Sequence, residues 1–192
     1  MFRYLALIVF VADLPVPIYW LVLHPLANFW RQRVRAAFWI AGLGAWTIGC
    51  AFVALTWRKL ASAGAPSILA TFAGIVLIGC DVLLLLRAGR QLGHGKLVGH
   101  AELTGKLELT TRGMYARVRH PRYTGMVLAV VGACLLAGSR FAWEVFAAWL
   151  PLVAISILLE EREMSRRFGA QYLEYCRCVP RFIPRVTLFS NK

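Results

Sequence analysis

Apolar positions along this chain come in long unbroken runs, and five of them approach the roughly 20 residues a helix needs to cross a bilayer. They extend from about Tyr4 to Leu23, Ala36 to Trp57, Ser67 to Leu86, Pro121 to Gly138 and Phe141 to Leu159. Asp13, Pro15 and Pro17 sit inside the first run, which predicts a kink near its middle, because proline removes a donor and clashes with the preceding turn. The second run carries Ala41, Ala45 and Gly49 at every fourth position, and the fourth carries Gly125, Ala129, Ala133 and Ala137. Such small-residue stripes let helices pack closely in lipid. Only Ser139 and Arg140 separate the last two runs, so these must form an antiparallel hairpin, with Pro151 bending its second arm.

Beyond that hairpin the pattern changes to a mixed one, from Glu160 to Tyr175. At 3.6 residues per turn Glu161, Phe168, Tyr172 and Tyr175 share a face. Glu160, Glu163 and Arg167 share the next, where Glu163 and Arg167 can pair at i,i+4. Gly169 weakens this helix and predicts a bend. Pro180-Arg181-Phe182-Ile183-Pro184 ends it. Ahead of the fourth run, Leu107 to Thr111 alternates apolar and polar residues, the pattern of a short extended piece.

Composition fits a membrane reading. Of 192 residues 59% are hydrophobic and 16% charged, against roughly 25% charged in a soluble domain. The formal charge is +13, and 18 of the 22 Lys and Arg fall on one side of the predicted spans. By the positive-inside rule that side, with the first loop, the third loop and the C-terminus, is cytoplasmic, and the N-terminus lies outside. The charge is thus a topology signal and an attraction to anionic membrane lipids, and no nucleic-acid partner is needed to explain it. The N-terminal run lacks a small-residue cleavage site and is read as a retained helix. The pattern makes one membrane domain: residues 1–90 form three scaffold helices, and residues 91–192 form the half that carries the site. Five cysteines show no CxxC pair or zinc-ligand spacing. His94 and His100, with Glu102 nearby, are read as solvated loop residues, so no metal is expected. No GxGxxG follows a strand-like run, and no P-loop or GxSxG occurs.

The chemistry gathers at Gly113 to Gly125, which holds three arginines, one histidine and two tyrosines at the mouth of the fourth run. Pro121 suits the first turn of a helix, and His120 before it is biased to an extended backbone. The hairpin brings this cationic, aromatic collar beside Glu160 and Glu161. Acid and base then converge at the membrane boundary, where ionisable clusters mark functional sites. A salt-bridge belt with interfacial tyrosines is the structural alternative. As a site, the pair of segments would hold an anionic or zwitterionic cofactor.

The compound pattern Gly-x-Tyr-x-x-x-Arg-His-Pro-x-Tyr-x-Gly, a membrane hairpin, then Glu-Glu…Phe-Gly-x-x-Tyr-x-x-Tyr…Val-Pro resembles the isoprenylcysteine carboxyl methyltransferase family, related to the membrane phospholipid methyltransferases. The resemblance covers Thr111 to Pro184. It implies an all-α integral membrane methyltransferase that uses S-adenosylmethionine, with a C-terminal cytoplasmic helix capping the cofactor pocket and a small lipophilic acceptor entering from the bilayer. Carried onto this sequence, Arg119 and His120 would bind the cofactor carboxylate, with Pro121 fixing the turn. Glu160 or Glu161 would accept from its amino group or ribose, and Tyr115, Tyr123 and Tyr172 would wall the adenine or face the sulfonium. Arg177 or Arg181 would clamp an acceptor carboxylate, with Glu161 completing the catalytic set; a thiol or amine acceptor is equally compatible. Met114 stands where the family usually has proline, and Cys178 where it usually has arginine before Val-Pro. That second departure weighs against a prenylcysteine substrate and keeps a non-catalytic assembly or regulatory protein as the rival reading. A transporter fits less well, because only Asp13 is central in a span.

Overall fold

A computed structural model describes residues 2–61, 66–93 and 108–184. The expectations placed on His94, His100 and Glu102 lie outside these residues. The elements are all helical among the described residues: α1 (Phe2–Asp13), α2 (Pro15–Leu23), α3 (Ala27–Arg31), α4 (Val34–Ala37), a π-helical turn (Phe38–Leu43), α5 (Gly44–Leu60), α6 (Ile68–Leu92), a 3₁₀ turn (Gly113–Ala116), α7 (Pro121–Ala137), α8 (Arg140–Phe168) and α9 (Ala170–Cys178). Four stretches are long and apolar enough to span a membrane: Phe2–Leu23, Val34–Leu60, Ile68–Leu92 and Arg140–Phe168. The fifth, Pro121–Ala137, is shorter. Residues 108–111 form no strand, so the alternation there does not produce one.

The helix is interrupted where the prolines lie, with Leu14 between α1 and α2, although Leu14 itself keeps helical backbone angles. Pro15 and Pro17 deprive the carbonyls of Val11 and Asp13 of their helical donors, and α8 adds side-chain hydrogen bonds just beyond the break. Trp149 Nε1 donates to Leu14 O at 3.2 Å and Ser156 Oγ to Pro17 O at 3.3 Å, both from α8. Gly49 of α5 meets Pro15 so closely that a Cβ there would overlap its ring, while Ala41 and Ala45 of the same stripe are buried. Helix α7 is the hub, with Gly125, Ala129, Ala133 and Ala137 all buried. It lies against α6 at Gly132, where an added Cβ would come within 2.7 Å of Gly74 O. Outward leucines and isoleucines of α6, such as Leu69 and Ile68, and its Phe72 are exposed to where lipid would be.

The hairpin turn uses Gly138 in the left-handed region (φ +61°), its N–H bonding Cys134 O. Helix α8 then runs 29 residues through Pro151 without interruption and stops at Gly169 (φ +51°), the predicted bend. The loop after α2 meets the end of α8: His24 Nδ1 lies 2.9 Å from Glu163, which also pairs with Arg167 at 3.3 Å, as the i,i+4 spacing predicts. The first loop, the collar and α9 therefore share one end of the bundle, the basic end, while Ser139 bonds Lys59 O at the other.

Candidate functional site

The collar is built by local constraints. Gly113 has φ +62° and abuts Gln91 of α6, whose Oε1 accepts from Met114 N at 3.2 Å. The 3₁₀ turn carries Tyr115, and Pro121 opens α7 in its first turn. The segment after α9 is stitched to the collar backbone: Arg119 N donates to Pro180 O at 2.9 Å and His120 N to Arg181 O at 3.0 Å. Tyr175 Oη closes the far side on Tyr115 O at 2.6 Å.

Glu161 is the electrostatic centre. Its carboxylate takes Arg119 Nη1 at 2.9 Å, lies 3.0 Å from His120 Nε2, and is gripped by Arg181 through Nε at 3.1 Å and Nη2 at 2.7 Å. A carboxylate can accept at both oxygens, and a guanidinium offers a matching fork. The hydrogen bond to Glu161 raises Arg181 further above its ordinary value. Arg119 Nη1 also reaches Cys176 Sγ at 2.7 Å, whereas its Nε is buried without an acceptor among the described residues. His120 is buried, with Tyr123 edge-on at 5.7 Å. Burial pushes the phenols of Tyr115, Tyr172 and Tyr175 up, the last to about 12, so all three stay neutral donors.

Two cavities adjoin across this network. A larger one of about 440 Å³ runs into the bundle, bounded mainly by aromatic and aliphatic side chains including Tyr19, Trp20, Phe38, Trp46 and Met126. A smaller one of about 100 Å³ lies towards α9, against Thr110, Tyr172 and Tyr175. Tyr115, Arg119, His120 and Glu160 border both. Glu160 has no hydrogen bond or ion pair among the described residues and is left facing that shared wall. The larger volume falls in the range of small-molecule sites, and its apolar lining with a few convergent polar groups is characteristic of them.

Of the residues singled out from sequence, Tyr115, Arg119, His120, Pro121, Tyr123, Glu160, Glu161, Tyr172 and Arg181 come together here. Arg177 does not: its side chain is 79% exposed and lies 3.3 Å from Glu174. Arg181 is engaged by Glu161 rather than standing free as a clamp. Several members were not foreseen. The π-helical turn and α2 supply the aromatic lining, so the first half of the chain shapes the site as well as bracing it. Arg122 turns inward to Asp13 and Asp81, at 3.2 and 2.6 Å. Two aspartates in apolar runs were the available signal, since such groups seek a partner.

Residues 69–171, just over half of the chain, match the phospholipid methyltransferase family. Two curated proteins of Arabidopsis thaliana, Protein-S-isoprenylcysteine O-methyltransferase B and Protein-S-isoprenylcysteine O-methyltransferase A, are each 32% identical over 84 residues. The aligned stretch is 40% of this chain and 39% of each relative. No solved structure matches significantly. With its apolar helices, its collar-and-glutamate site and this match, the chain is an integral membrane protein that belongs to the phospholipid methyltransferase family.

Proposed function

We propose that the protein transfers a methyl group from S-adenosylmethionine to a small lipophilic acceptor that enters from the bilayer, with the cofactor held on the cytoplasmic side. The observation that carries this reading is the pair of cavities, one strongly apolar and one with a larger share of polar groups, with a common wall of Tyr115, Arg119, His120 and Glu160. The residues fit the cofactor's groups. Arg119 keeps a buried N–H without an acceptor among the described residues, suited to a carboxylate. Glu160, unpaired among the described residues, is an acceptor for an amino group or ribose hydroxyls. The ring of Tyr115 can lie against a purine or face a sulfonium. When bound, the cofactor supplies an electrophilic methyl group. The chain's own contribution is then alignment and exclusion of water, effects that lower a displacement barrier without a protein nucleophile. Glu161 holds both Arg119 and His120 in place, and Trp20, Trp46 and Met126 provide the dry end.

Calorimetry of detergent-purified protein tests the first half, with micromolar binding expected for S-adenosylmethionine or its demethylated product. His120→Ala should weaken it about tenfold or more while the protein stays folded. No heat and no thermal shift with either compound would overturn the reading. Incubating membranes with methyl-labelled cofactor and identifying the labelled lipid tests the second half.

A further inference from the structure

Arg122 is the second residue of α7, and its guanidinium is held by carboxylates from two other helices. Nη1 lies 2.6 Å from Asp81 Oδ1 of α6 and Nη2 3.2 Å from Asp13 Oδ1 of α1. Their accessibility is unequal: 24% of the Arg122 side chain is accessible, against 6% for Asp13 and 9% for Asp81. Arg122 borders the apolar cavity and the aspartates stand behind it.

An arginine brings one positive charge, and two carboxylates more than cancel it. Were one carboxyl to take up a proton, the cluster would still have no surplus of positive charge. A carboxylate brought against Arg122 would lose its hydration and meet two anions behind the cation, with no net attraction to offset that cost. Elsewhere on the wall Arg119 is paired with Glu161, its spare N–H being the one assigned above to the cofactor, and Glu160 adds a further negative charge. An uncharged oxygen function escapes this penalty. It can accept from guanidinium N–H groups, of which Arg122 has five and gives two to the aspartates. A cationic head gains from the carboxylates and from the faces of Trp20 and Trp46.

We propose that the Asp13–Arg122–Asp81 cluster makes the apolar cavity selective for amphiphiles with uncharged or cationic heads and against carboxylates. This names the class of acceptor for the cavity and rests on the preceding reading only in calling the occupant an acceptor. The test uses full-length protein in an uncharged maltoside detergent at pH 8, titrated with chain-brominated dodecanol, dodecylamine and dodecanoate. Bromine quenches tryptophan emission on contact, and the quenching counted is the part lost in a Trp20→Phe/Trp46→Phe variant. Dodecanol should bind at least tenfold more tightly than dodecanoate, and dodecylamine at least as tightly as dodecanol. Asp13→Asn/Asp81→Asn keeps the shape but bares the cation, and should bring dodecanoate level with dodecanol or above it. Should that variant fail to fold, Arg122→Gln serves instead and should bind dodecanoate still more weakly. Equal or tighter dodecanoate binding to the wild type, an unchanged ratio in the asparagine variant, or stronger dodecanoate binding by Arg122→Gln would each overturn the proposal. Cofactor calorimetry on the same samples separates the two claims: intact cofactor binding without head-group selectivity sinks this inference alone, and selectivity without cofactor binding sinks the enzymatic one.

Discussion

Glu161→Gln is the substitution that most directly tests how the site is held. Glu161 Oε1 faces Arg119, His120 and Arg181 Nε, and Oε2 faces Arg181 Nη2. An amide placed with its oxygen at Oε1 keeps neutral hydrogen bonds there but turns its own donors towards Arg181 Nη2. Arg181 is 47% exposed and can swing into water, so its lost pair costs under about 1 kcal/mol. Arg119 is only 11% exposed and has no such escape. Stranding a fully buried charge costs about 3–5 kcal/mol. Discounting for the residual access and the surviving neutral bond leaves about 2–3 kcal/mol. In a chain of this size that lowers the unfolding midpoint by roughly 5–10 °C, read from tryptophan emission in detergent at one fixed scan rate. The cations should behave differently when removed singly. Arg119→Ala leaves Glu161 with His120 and Arg181, so about 1 kcal/mol is expected, and Arg181→Ala should shift the midpoint by under about 3 °C. An Arg119→Ala loss as large as that of Glu161→Gln would refute the idea of one carboxylate serving three donors.

Tyr175→Phe removes the hydroxyl that bonds Tyr115 O, a loss of about 1 kcal/mol, and calorimetry should show cofactor affinity falling a few-fold. Gly125→Ala drives a Cβ into Asp81 Oδ1, which should destabilise by roughly 1–3 kcal/mol. Gly79→Ala, on the same α6 helix as Asp81 but with nothing near its added methyl, should leave the midpoint unchanged or raise it. Cys176 lies at the Arg119 end of the site and Cys178 is exposed beyond it. Mass spectrometry of maleimide-treated protein should therefore show Cys176 slowed by the demethylated cofactor and Cys178 unaffected.

What the sequence made legible follows from connectivity. A two-residue link between apolar runs leaves the chain no choice but a hairpin, and this alone brings the Arg119-His120 corner to Glu161. The prolines at 15 and 17 and the glycine at 169 act on their own backbone, so their breaks were legible too. Rotation about a helix axis is a different kind of information. Arg177 and Arg181 looked equivalent as clamps, yet the first lies on the outer face of α9. The second lies beyond that helix, in the segment whose backbone hydrogen-bonds to the collar, and this brings its guanidinium to Glu161. Likewise Asp13, Asp81 and Arg122 are spread over 110 residues, and nothing local to any of them fixes which helix faces which. Their meeting depends on how closely α1 and α6 lie against α7, and that spacing is set by positions with no side chain to obstruct it. Gly125 shows the dependence directly, since the space its missing methyl would fill is occupied by the Asp81 carboxylate. The small-residue stripe and the buried charges are thus one feature: close helix packing lets one arginine pair with two aspartates where lipid would otherwise make each of them costly.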